Sequence, residues 1–426
     1  MNRFSISTIS IALFLLCITS ATSALLAAAP RDFAVTDFGA LGDGTTLNTA
    51  AIQAAIDKAA ATPDGGRVVI PKGVFRSGSI FLKNGAELYL AAEAVLLGSN
   101  DIADYPKRDT RIEGHVEPWR MALVNAQNLP RVRIGGPGKI DGNGATFWAE
   151  FGRRIRENRK TTNLDVERPR LMFVDTCSDV RISGLVLRDS GFWNVHLYRC
   201  RDVVVEDLDI AISREKGRGP STDGLDLDSC RDVIVRRCRF AVDDDCIAIK
   251  GSKGPLADRD EASPPVENIL IEKCTFDAGH GVVTFGSEAT IVRGVTVRDC
   301  DVNSQNSVVR LKLRPDTPQL YENILYENIR LNADGGALIS ARPWLQYFDL
   351  KGHESPPSVV RNLTIRNITG RYGSFGTLNG NANDIIDGVT LENIDVTLQK
   401  PKLDTGAMVK NFKVNAVKVN GAKYEL

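Results

Sequence analysis

Three consecutive aspartates stand directly before an apolar run in the stretch AVDDDCIAIKG, which covers residues 241–251. The run after Asp243, Asp244 and Asp245 has the composition of a buried strand, and the nearest cation in sequence is Lys250. Adjacent carboxylates repel each other and resist removal from water, so the arrangement lowers stability. Carboxylates that are kept together despite this repulsion are typical of sites that use them for acid–base chemistry.

Further polar residues occupy matching positions relative to inward-facing apolar pairs. Asp223 lies two residues before Leu225, and Asp245 lies two residues before Ile247. Strands in this register place the two carboxylates on neighbouring rungs, about 4.8 Å apart. The same alignment, continued on the pairs Val283/Phe285 and Leu311/Leu313, predicts one patch that contains Asp223, Asp244, Asp245, His280, Arg310 and Lys312.

The predicted patch combines a carboxylate cluster with a pair of cations. Two carboxylates that share a water, together with one protonated carboxyl, are the groups required to hydrolyse a glycosidic bond. The cationic pair indicates an acidic sugar, with a role as plain counter-ions to the aspartates as the alternative. His280 lies between two glycines and is either part of the site or a turn residue. Solvated turn positions are expected for three further aspartates, Asp226, Asp228 and Asp243.

A repeated apolar pattern organises the chain from residue 180 onward. An apolar residue is followed by others two, five and seven positions later, and the copies start 23 to 39 residues apart. This is the period of a solenoid, and most copies leave no room for a crossover helix. We therefore predict an all-β fold, a right-handed parallel β-helix, with each copy forming one coil. The copies begin at Val180, Val203, Val233, Ile269, Val295, Ile324, Leu363 and Val389.

Other features of the sequence agree with a solenoid. Residues 48–61 have a helical apolar face and predict an N-terminal helix that caps the open end of the core. Residues 145–170, 252–265 and 342–357 are expected to be inserted surface loops. Three asparagines precede the third apolar position of their copies, where a left-handed backbone is expected, namely Asn328, Asn367 and Asn393.

The cysteines are also explained by the repeat. The chain has eight, of which Cys17 lies in the N-terminal apolar segment. Cys238, Cys274 and Cys300 fall on an inward position of the pattern and are expected to be small buried hydrophobic residues. Cys177, Cys200 and Cys230 share a second inward position, so free thiols are favoured over disulfides.

The ends and the charge of the chain restrict its location and partners. Residues 1–29 have a basic residue, an apolar run and small residues, the features of a signal peptide. Residues 30–426 are then a single exported catalytic domain, secreted or periplasmic, with no membrane segment after signal removal. The formal net charge is zero, which argues against a nucleic-acid partner.

Four motifs in order resemble glycoside hydrolase family 28, the polygalacturonase-like, pectin-degrading enzymes. They are STDG at 221–224, DDC at 244–246, GHG at 279–281 followed by FGS at 285–287, and RLK at 310–312. The stretches DFGALGDGTTLNTAAIQAAID from residue 37, GKIDGNG from 138 and SGFWNVH from 190 are also similar to that family. The resemblance extends over nearly all of residues 30–426.

The resemblance implies hydrolysis of α-1,4 bonds in an acidic plant cell-wall polysaccharide, without a metal or organic cofactor. Inversion is predicted from the register, because alternation directs Asp244 away from a water held by Asp223 and Asp245. The resemblance also implies Asp244 as the general acid, Asp223 and Asp245 as the pair that activates water, and His280 as a positioning residue. Arg310 and Lys312 would hold the substrate carboxylate. The family usually has Asn at position 221 and Gly at position 243, where this chain has Ser221 and Asp243.

Several alternatives remain open at this level. A related enzyme could cleave rhamnogalacturonan or a substituted galacturonan, and a pectate lyase would need a calcium-binding carboxylate set and a basic proton abstractor. A non-catalytic glycan-binding β-helix would use aromatic rings as stacking platforms, and the candidates are Trp193, Trp344 and Tyr326. We include Tyr326 among the substrate-binding residues. The inserted segments 145–170 and 342–357 favour exo over endo attack, because loops that close one end of a groove restrict cleavage to chain ends.

Overall fold

The computed structural model describes residues 31–425, and its backbone is a right-handed parallel β-helix, which confirms the predicted fold class. The predicted signal peptide lies outside the described residues. Thirty-two strands form one continuous sheet, and two more form a separate antiparallel hairpin. Within residues 31–425, no helix is long and apolar enough to cross a membrane.

The regular elements follow one another closely along the chain. The strands are β1 (Asp32–Ala34), β2 (Asp43–Leu47), β3 (Gly66–Ile70), β4 (Gly73–Ser77), β5 (Ile80–Phe81), β6 (Ala86–Leu90), β7 (Ala94–Gly98), β8 (Lys107–Ile112), β9 (His115–Arg120), β10 (Val124–Gln127), β11 (Val132–Gly135), β12 (Lys139–Asp141), β13 (Met172–Asp175), β14 (Ser178–Ser183), β15 (Val186–Arg188), β16 (Val195–Tyr198), β17 (Arg201–Glu206), β18 (Asp209–Ala211), β19 (Leu225–Asp228), β20 (Arg231–Arg236), β21 (Arg239–Ala241), β22 (Ile247–Lys250), β23 (Val266–Glu272), β24 (Thr275–Ala278), β25 (Gly281–Phe285), β26 (Ile291–Val302), β27 (Ser307–Leu313), β28 (Gln319–Asn332), β29 (Ala337–Pro343), β30 (Ser358–Leu378), β31 (Ile385–Thr405), β32 (Val409–Lys410), β33 (Lys413–Val419) and β34 (Ala422–Lys423). The helices are α1 (Thr49–Ala60) and α2 (Ala145–Glu157), with short 3-10 turns at Val35–Phe38, Ile102–Asp104, Asn163–Asp165, Arg214–Lys216 and Ala257–Arg259.

The coils form three rows of strands that run along the β-helix, and in the later coils one long strand belongs to two rows, as β26 pairs with both β23 and β24. The row that carries the site, here called the site sheet, consists of β5, β10, β13, β16, β19, β22, β25, β27 and β29. The predicted repeat is confirmed in register, because Val180 pairs with Val203 and Val203 with Val233. The coils also begin earlier than the sequence pattern indicated, since Val132 pairs with Val180.

Apolar stacks fill the inside of the coils, because residues that repeat at the same register position meet their equivalents one rung away. The rings of Phe240 and Phe276 stack with centroids 5.4 Å apart. Cys238, Cys274 and Cys300 are buried, as predicted. All seven cysteines in the described part of the chain are free thiols, including the other predicted set.

Helix α1 confirms the predicted N-terminal cap. Its buried residues are Ile52, Ala55, Ile56 and Ala59, and this face packs against β1, β3, β5 and β6. The inserted segments are partly regular, because residues 145–157 form α2 and residues 342–343 belong to β29. The β8–β9 hairpin beside the site sheet was not foreseen from the sequence.

The three asparagines predicted at left-handed turns form a ladder along one edge of the coils. Their φ values are 56° for Asn328, 54° for Asn367 and 51° for Asn393. The Nδ2 group of Asn367 donates to Oδ1 of Asn328 at 3.0 Å, and that of Asn393 donates to Oδ1 of Asn367 at 2.8 Å. Asparagine is therefore used here both for its tolerance of positive φ and for its amide.

Replacing Asn367 separates these two contributions. We expect Asn367→Ala to lower the free energy of unfolding by about 2–3 kcal/mol, because it adds left-handed strain to the loss of hydrogen bonds. Asn367→Gly should lose less, since glycine adopts positive φ without strain. Urea unfolding of both variants measures the difference. Equal losses would contradict a role for backbone strain at this turn.

Candidate active site

The site is built at the N-terminal ends of neighbouring strands of the site sheet. Leu225 pairs with Ile247, so Asp223 and Asp245 occupy the same position on adjacent rungs, as predicted. The backbone N–H of Gly224 donates to the carbonyl oxygen of Asp245 at 2.9 Å. A Cβ on Gly224 would lie 2.4 Å from the carbonyl oxygen of Cys246, so only glycine permits this close approach.

The register predicted for the last strand of the patch is wrong by two residues. Val283 pairs with Val309 and Phe285 with Leu311, whereas the sequence alignment placed Leu311 opposite Val283. Alternating apolar residues at 309, 311 and 313 satisfy both registers equally, because a shift of two keeps every side chain on its own face. The shift nevertheless leaves Arg310 on the outer face, next to Thr284.

Asp245 is held by the two predicted cations. Its carboxylate accepts a hydrogen bond from Nη1 of Arg310 and one from Nζ of Lys312, the latter at 2.9 Å. Burial alone would raise the pKa of Asp245, but the charges of Lys312 and Arg310 outweigh burial and lower it. Asp245 is therefore an ionised carboxylate near neutral pH.

Asp244 points to a different partner from its neighbour. Its Oδ1 lies 3.1 Å from Nδ1 of His280, and the backbone N–H of His280 donates to the carbonyl oxygen of Asp244 at 2.9 Å. The hydrogen bond to Asp244 is the largest cause that raises the pKa of His280. Burial raises the pKa of Asp244, while the hydrogen bond and charge of His280 more than offset it, so the net shift is downward. The two residues thus form a pair that holds one proton.

Asp223 has the opposite electrostatic environment to Asp245. Burial, with added repulsion from Asp244 and Asp245, raises the pKa of Asp223 to about 7. The nearest cation is Lys250, whose Nζ lies 3.3 Å from Oδ2 of Asp223. Carboxyl groups one rung apart therefore have widely different proton affinities, which is the pattern expected of groups with separate roles in acid–base catalysis.

Lys250 is the centre of a buried charge cluster that sequence reasoning did not identify. Its Nζ lies 3.5 Å from Oδ1 of Asp226 and 3.5 Å from Oε2 of Glu288, in addition to Asp223. The ammonium also lies 4.2 Å from the centre of the Trp193 ring. One cation is shared by three buried carboxyl groups, so it neutralises each of them only in part. Burial accordingly raises the pKa of Asp226 well above its usual value, although Lys250 opposes this.

The prediction that Asp226 and Asp228 are solvated turn residues is wrong. Asp226 is fully buried, and Asp228 is 1% exposed with its Oδ2 3.0 Å from Nε of Arg111. Arg111 belongs to β8, so the unforeseen hairpin covers this part of the site sheet. The available signal was the alternation in LDLD, which puts both aspartates on the same face as Arg310.

Tyr326 is a further correction, because it is fully buried within the coil interior and cannot contact substrate. Its position in the repeat is an inward one, where it pairs with Val297 and Ile365. Trp193 and Trp344 do line the cavity above the aspartates. The ring of Trp344 lies 4.8 Å from Nζ of Lys312 and 5.6 Å from the guanidinium carbon of Arg310.

The cavity itself has a volume of about 480 Å³ and lies between the aspartates and two inserted segments. Segment 145–170 contributes residues of α2 and Asn163, and segment 342–357 contributes Trp344, Gln346 and Tyr347. Glu113, Arg218 and Glu288 also line it, although no sequence motif indicated them. Within residues 31–425, no group of three or more His, Cys, Asp or Glu side chains is arranged to hold a metal ion.

Removing the shared cation tests the buried cluster. We expect Lys250→Met to lower the free energy of unfolding by about 3–5 kcal/mol near neutral pH, because three buried carboxyl groups lose their cation. The loss should shrink at pH 5. Without Lys250 the pKa values of these groups rise in the folded state, which then binds more protons than the unfolded chain, so stability falls as pH rises. Denaturant unfolding at both pH values measures this, with exposed Lys160→Met as the control. An equal loss at both pH values would contradict it.

Comparisons with known proteins identify the family of the chain. The chain is 25% identical to an exopolygalacturonase of Zea mays over 90% of this chain and 88% of the relative. It is 28% identical to an exo-poly-alpha-D-galacturonosidase of Dickeya chrysanthemi, over 86% and 67%. The solved structure of a family 28 exopolygalacturonase from Yersinia enterocolitica has the same fold, with a TM-score of 0.68 at 21% identity over 94% of this chain and 80% of that one. The model of rhamnogalacturonase A/epimerase, pectate lyase-like proteins matches residues 33–95. The model of glycosyl hydrolases family 28 matches residues 66–422, and the chain belongs to that family.

Proposed function

We propose that the protein hydrolyses α-1,4-glycosidic bonds of polygalacturonan from chain ends, with inversion at the anomeric carbon. The observation that carries this proposal is the set of three aspartates with divergent proton affinities, beside two cations, in one cavity. The relatives named exopolygalacturonase and exo-poly-alpha-D-galacturonosidase support the substrate and the exo mode.

Asp245 and Asp223 are proposed to orient the attacking water. Asp245 is the stronger candidate for a permanent negative charge, because Arg310 and Lys312 stabilise its ionised form. Asp223 becomes a carboxylate as pH rises through its pKa of about 7, and it then accepts the proton that the water releases. Lys250, whose Nζ lies 3.3 Å from Oδ2 of Asp223, stabilises the ionised form of Asp223.

Asp244 is proposed to protonate the leaving oxygen, with His280 as its proton store. The free pair carries one proton, held mainly on His280 because the pKa of His280 is raised and that of Asp244 is lowered. Substrate binding displaces water from the half-exposed imidazole and disfavours a buried charge there, so the proton moves to Asp244. Alternation along an extended chain is expected to direct the side chain of Asp244 away from the water pair, which would leave the water free to attack the opposite face of the sugar.

Arg310 and Lys312 are proposed to bind the uronate carboxylate as well as Asp245. Arginine carries five N–H donors and a lysine ammonium three, so both retain donors after their contact with Asp245. The ring of Trp344 beside them offers a face on which a sugar can stack. The carboxylate would then lie between two cations and one aromatic ring.

The cavity walls support attack at chain ends. Helix α2 places Trp148, Phe151 and Ile155 on one side, and residues 344–347 close over another. A bare solenoid would present an open groove along the coils, which suits internal cleavage. We further propose that residues 1–29 are a signal peptide, and that residues 30–426 act outside the cytoplasm as one catalytic domain, secreted or periplasmic.

A second candidate is cleavage of rhamnogalacturonan or a substituted galacturonan. It is favoured by Ser221 and Asp243 at the edge of the cavity, in place of the Asn and Gly usual in the family. Ser221 donates to Oδ1 of Asn163 at 3.1 Å, so this edge is tied to the inserted segment rather than left free for substrate. Parallel incubations with polygalacturonate and rhamnogalacturonan separate the two candidates.

Product analysis tests the proposed function directly. We expect polygalacturonate to yield monomeric galacturonate as the first product, in the β-anomeric form, because water attacks the face opposite the α-linked leaving group. Product sizing with proton NMR of the newly formed reducing ends, before mutarotation, measures both properties. A ladder of oligomers would contradict exo attack. An initial α-anomer or a trapped glycosyl-enzyme would contradict the inverting mechanism.

The roles of the aspartates are tested by their amides. We expect Asp223→Asn, Asp244→Asn and Asp245→Asn each to lower kcat by at least about a hundredfold, the lower range for losing a positioned acid or base. The melting temperature of Asp223→Asn should be unchanged or higher, because burial and the neighbouring carboxylates disfavour the charged form of Asp223.

A substrate with a good leaving group distinguishes the acid from the bases. Departure of nitrophenolate needs little proton donation, so Asp244→Asn should recover most of its activity on nitrophenyl α-galacturonide. Asp223→Asn should not recover. Recovery of Asp223→Asn instead would assign the acid role to Asp223, whose raised pKa makes it the alternative donor.

A further inference from the structure

Arg218 differs from the other cations of the cavity because it has no partner. Five cationic side chains line the cavity, and four of them contact a carboxylate of the site, namely Lys250, His280, Arg310 and Lys312. No carboxylate in residues 31–425 pairs with the exposed guanidinium of Arg218. It therefore has all its donors available to a ligand.

The loop that carries Arg218, residues 213–221, is fixed at its base by a buried aspartate. Asp189 is fully buried, and its Oδ1 accepts from the backbone N–H of Ser213 at 2.7 Å. Its Oδ2 accepts from Nζ of Lys216 at 2.6 Å. Gly217 follows with φ of 121° and ψ of −172°, a conformation open to glycine alone, so the chain turns sharply just before Arg218.

The far side of the loop is fixed by Asp243, the residue at which the chain departs from the family. Oδ2 of Asp243 accepts from the backbone N–H of Gly219 at 2.8 Å, and Oδ1 lies 3.6 Å from Nη2 of Arg214. The hydroxyl of Thr222 donates to the carbonyl oxygen of Gly219 at 2.5 Å. A glycine at position 243 would lack both contacts of the Asp243 side chain, with Gly219 and with Arg214. The loop is thus held on both sides of Arg218, which lowers the entropy lost when a ligand binds.

The position of Arg218 complements that of Arg310 and Lys312. Arg218 precedes β19, the catalytic aspartates Asp244 and Asp245 precede β22, and Arg310 lies in β27. The strands pair in the order β19, β22, β25, β27. The backbone positions of Arg218 and Arg310 therefore lie on opposite sides of Asp244 and Asp245 along the β-helix axis, roughly 14 Å apart for three rungs. A second cavity of about 470 Å³, lined by Arg214, Arg218, Asp243 and His280, adjoins the first on this side.

We propose that Arg218, positioned by Asp243, binds a second sugar carboxylate, on the side of the scissile bond nearer the N-terminal end of the β-helix. Arg310 and Lys312 bind the carboxylate on the side nearer its C-terminal end. This inference rests on the proposed function, because it requires a substrate with consecutive uronate residues. A guanidinium binds a carboxylate through two parallel N–H donors, so Arg218 selects for acid at that position as well as for chain orientation. Asp243 acts through the loop and is a positioning residue.

Kinetics on trigalacturonate test the carboxylate contact. We expect Arg218→Ala to raise KM about tenfold or more while kcat changes little, because a charge-assisted contact made in both ground and transition states is lost. On the trimer whose carboxylates have been reduced to hydroxymethyl groups, the same variant should match the wild type. Arg361→Ala, a change of an exposed arginine in β30 outside the cavity, is the matched control and should have no effect. Unchanged KM for Arg218→Ala on the acidic trimer, or an equal loss on both trimers, would overturn the proposal.

Equilibrium binding keeps the test independent of turnover. In the Asp244→Asn background, addition of Arg218→Ala should weaken the Kd for trigalacturonate by the same factor of about ten. If the wild type does not cleave polygalacturonate, the proposed function fails, and this Kd comparison still decides the inference. Equal Kd values with and without Arg218 would overturn it.

Variants of Asp243 test the positioning role. Asp243→Gly should raise KM several-fold with little change in kcat, since the loop loses its anchor and Arg218 its fixed place. Asp243→Asn should retain most of the wild-type KM, because the amide oxygen can still accept from the N–H of Gly219. A loss in kcat alone, or no difference between the two variants, would exclude positioning through this hydrogen bond.

Discussion

Like charges stacked on adjacent rungs of a parallel sheet are the constraint on which the rest of the site depends. The register of the site sheet brings Asp223 and Asp245 to within one rung, about 4.8 Å along the axis, and the inserted segments remove most of the water around them. Neither aspartate can be stable there as an isolated charge. The surrounding residues neutralise the two unequally, and this inequality gives them different proton affinities.

The difference lies in how many cations each carboxylate has. Asp245 contacts both Lys312 and Arg310 directly, and their charges lower its pKa despite burial. Burial raises the pKa of Asp223, and Lys250, which Asp223 shares with Asp226 and Glu288, does not offset this. Asp244 is paired instead with His280, which binds a proton beside it. The repulsion within AVDDDC is thus relieved by sending neighbouring side chains to different partners.

The inserted segments convert a regular solenoid into an enclosed site. The coils supply an outer face on which polar residues repeat at fixed spacing, and α2 with residues 344–347 encloses part of it. The β8–β9 hairpin covers another part and supplies Arg111 to neutralise Asp228. The loop at residues 213–221 adds Arg218 at the remaining edge, held there by Asp189 and Asp243.

The amino-acid sequence by itself determined the coils, the capping helix, the turn asparagines and the gathering of six polar residues on one face. These features follow from period-two alternation and from the fixed spacing between rungs, both of which are local. The same patterns left a register ambiguity of two residues at Leu311, because either choice keeps apolar side chains inward. The same patterns also left Tyr326 as a candidate for stacking against sugar rings. Its inward position in the repeat already indicated burial, and the structure has it buried.

Only the tertiary structure decided which charges meet and how deeply each is buried. Lys250 and Glu288 are 38 residues apart, and Arg111 and Asp228 are 117 residues apart, with no shared pattern that connects them. The proton affinities of Asp223, Asp226 and Asp245 depend on these contacts and on the water that the insertions exclude. A pKa is set by the sum of burial and nearby charge in three dimensions, whereas a motif records only which residue types are present. The sequence therefore indicated where the chemistry occurs, and the packing of distant segments assigned the proton affinity of each group.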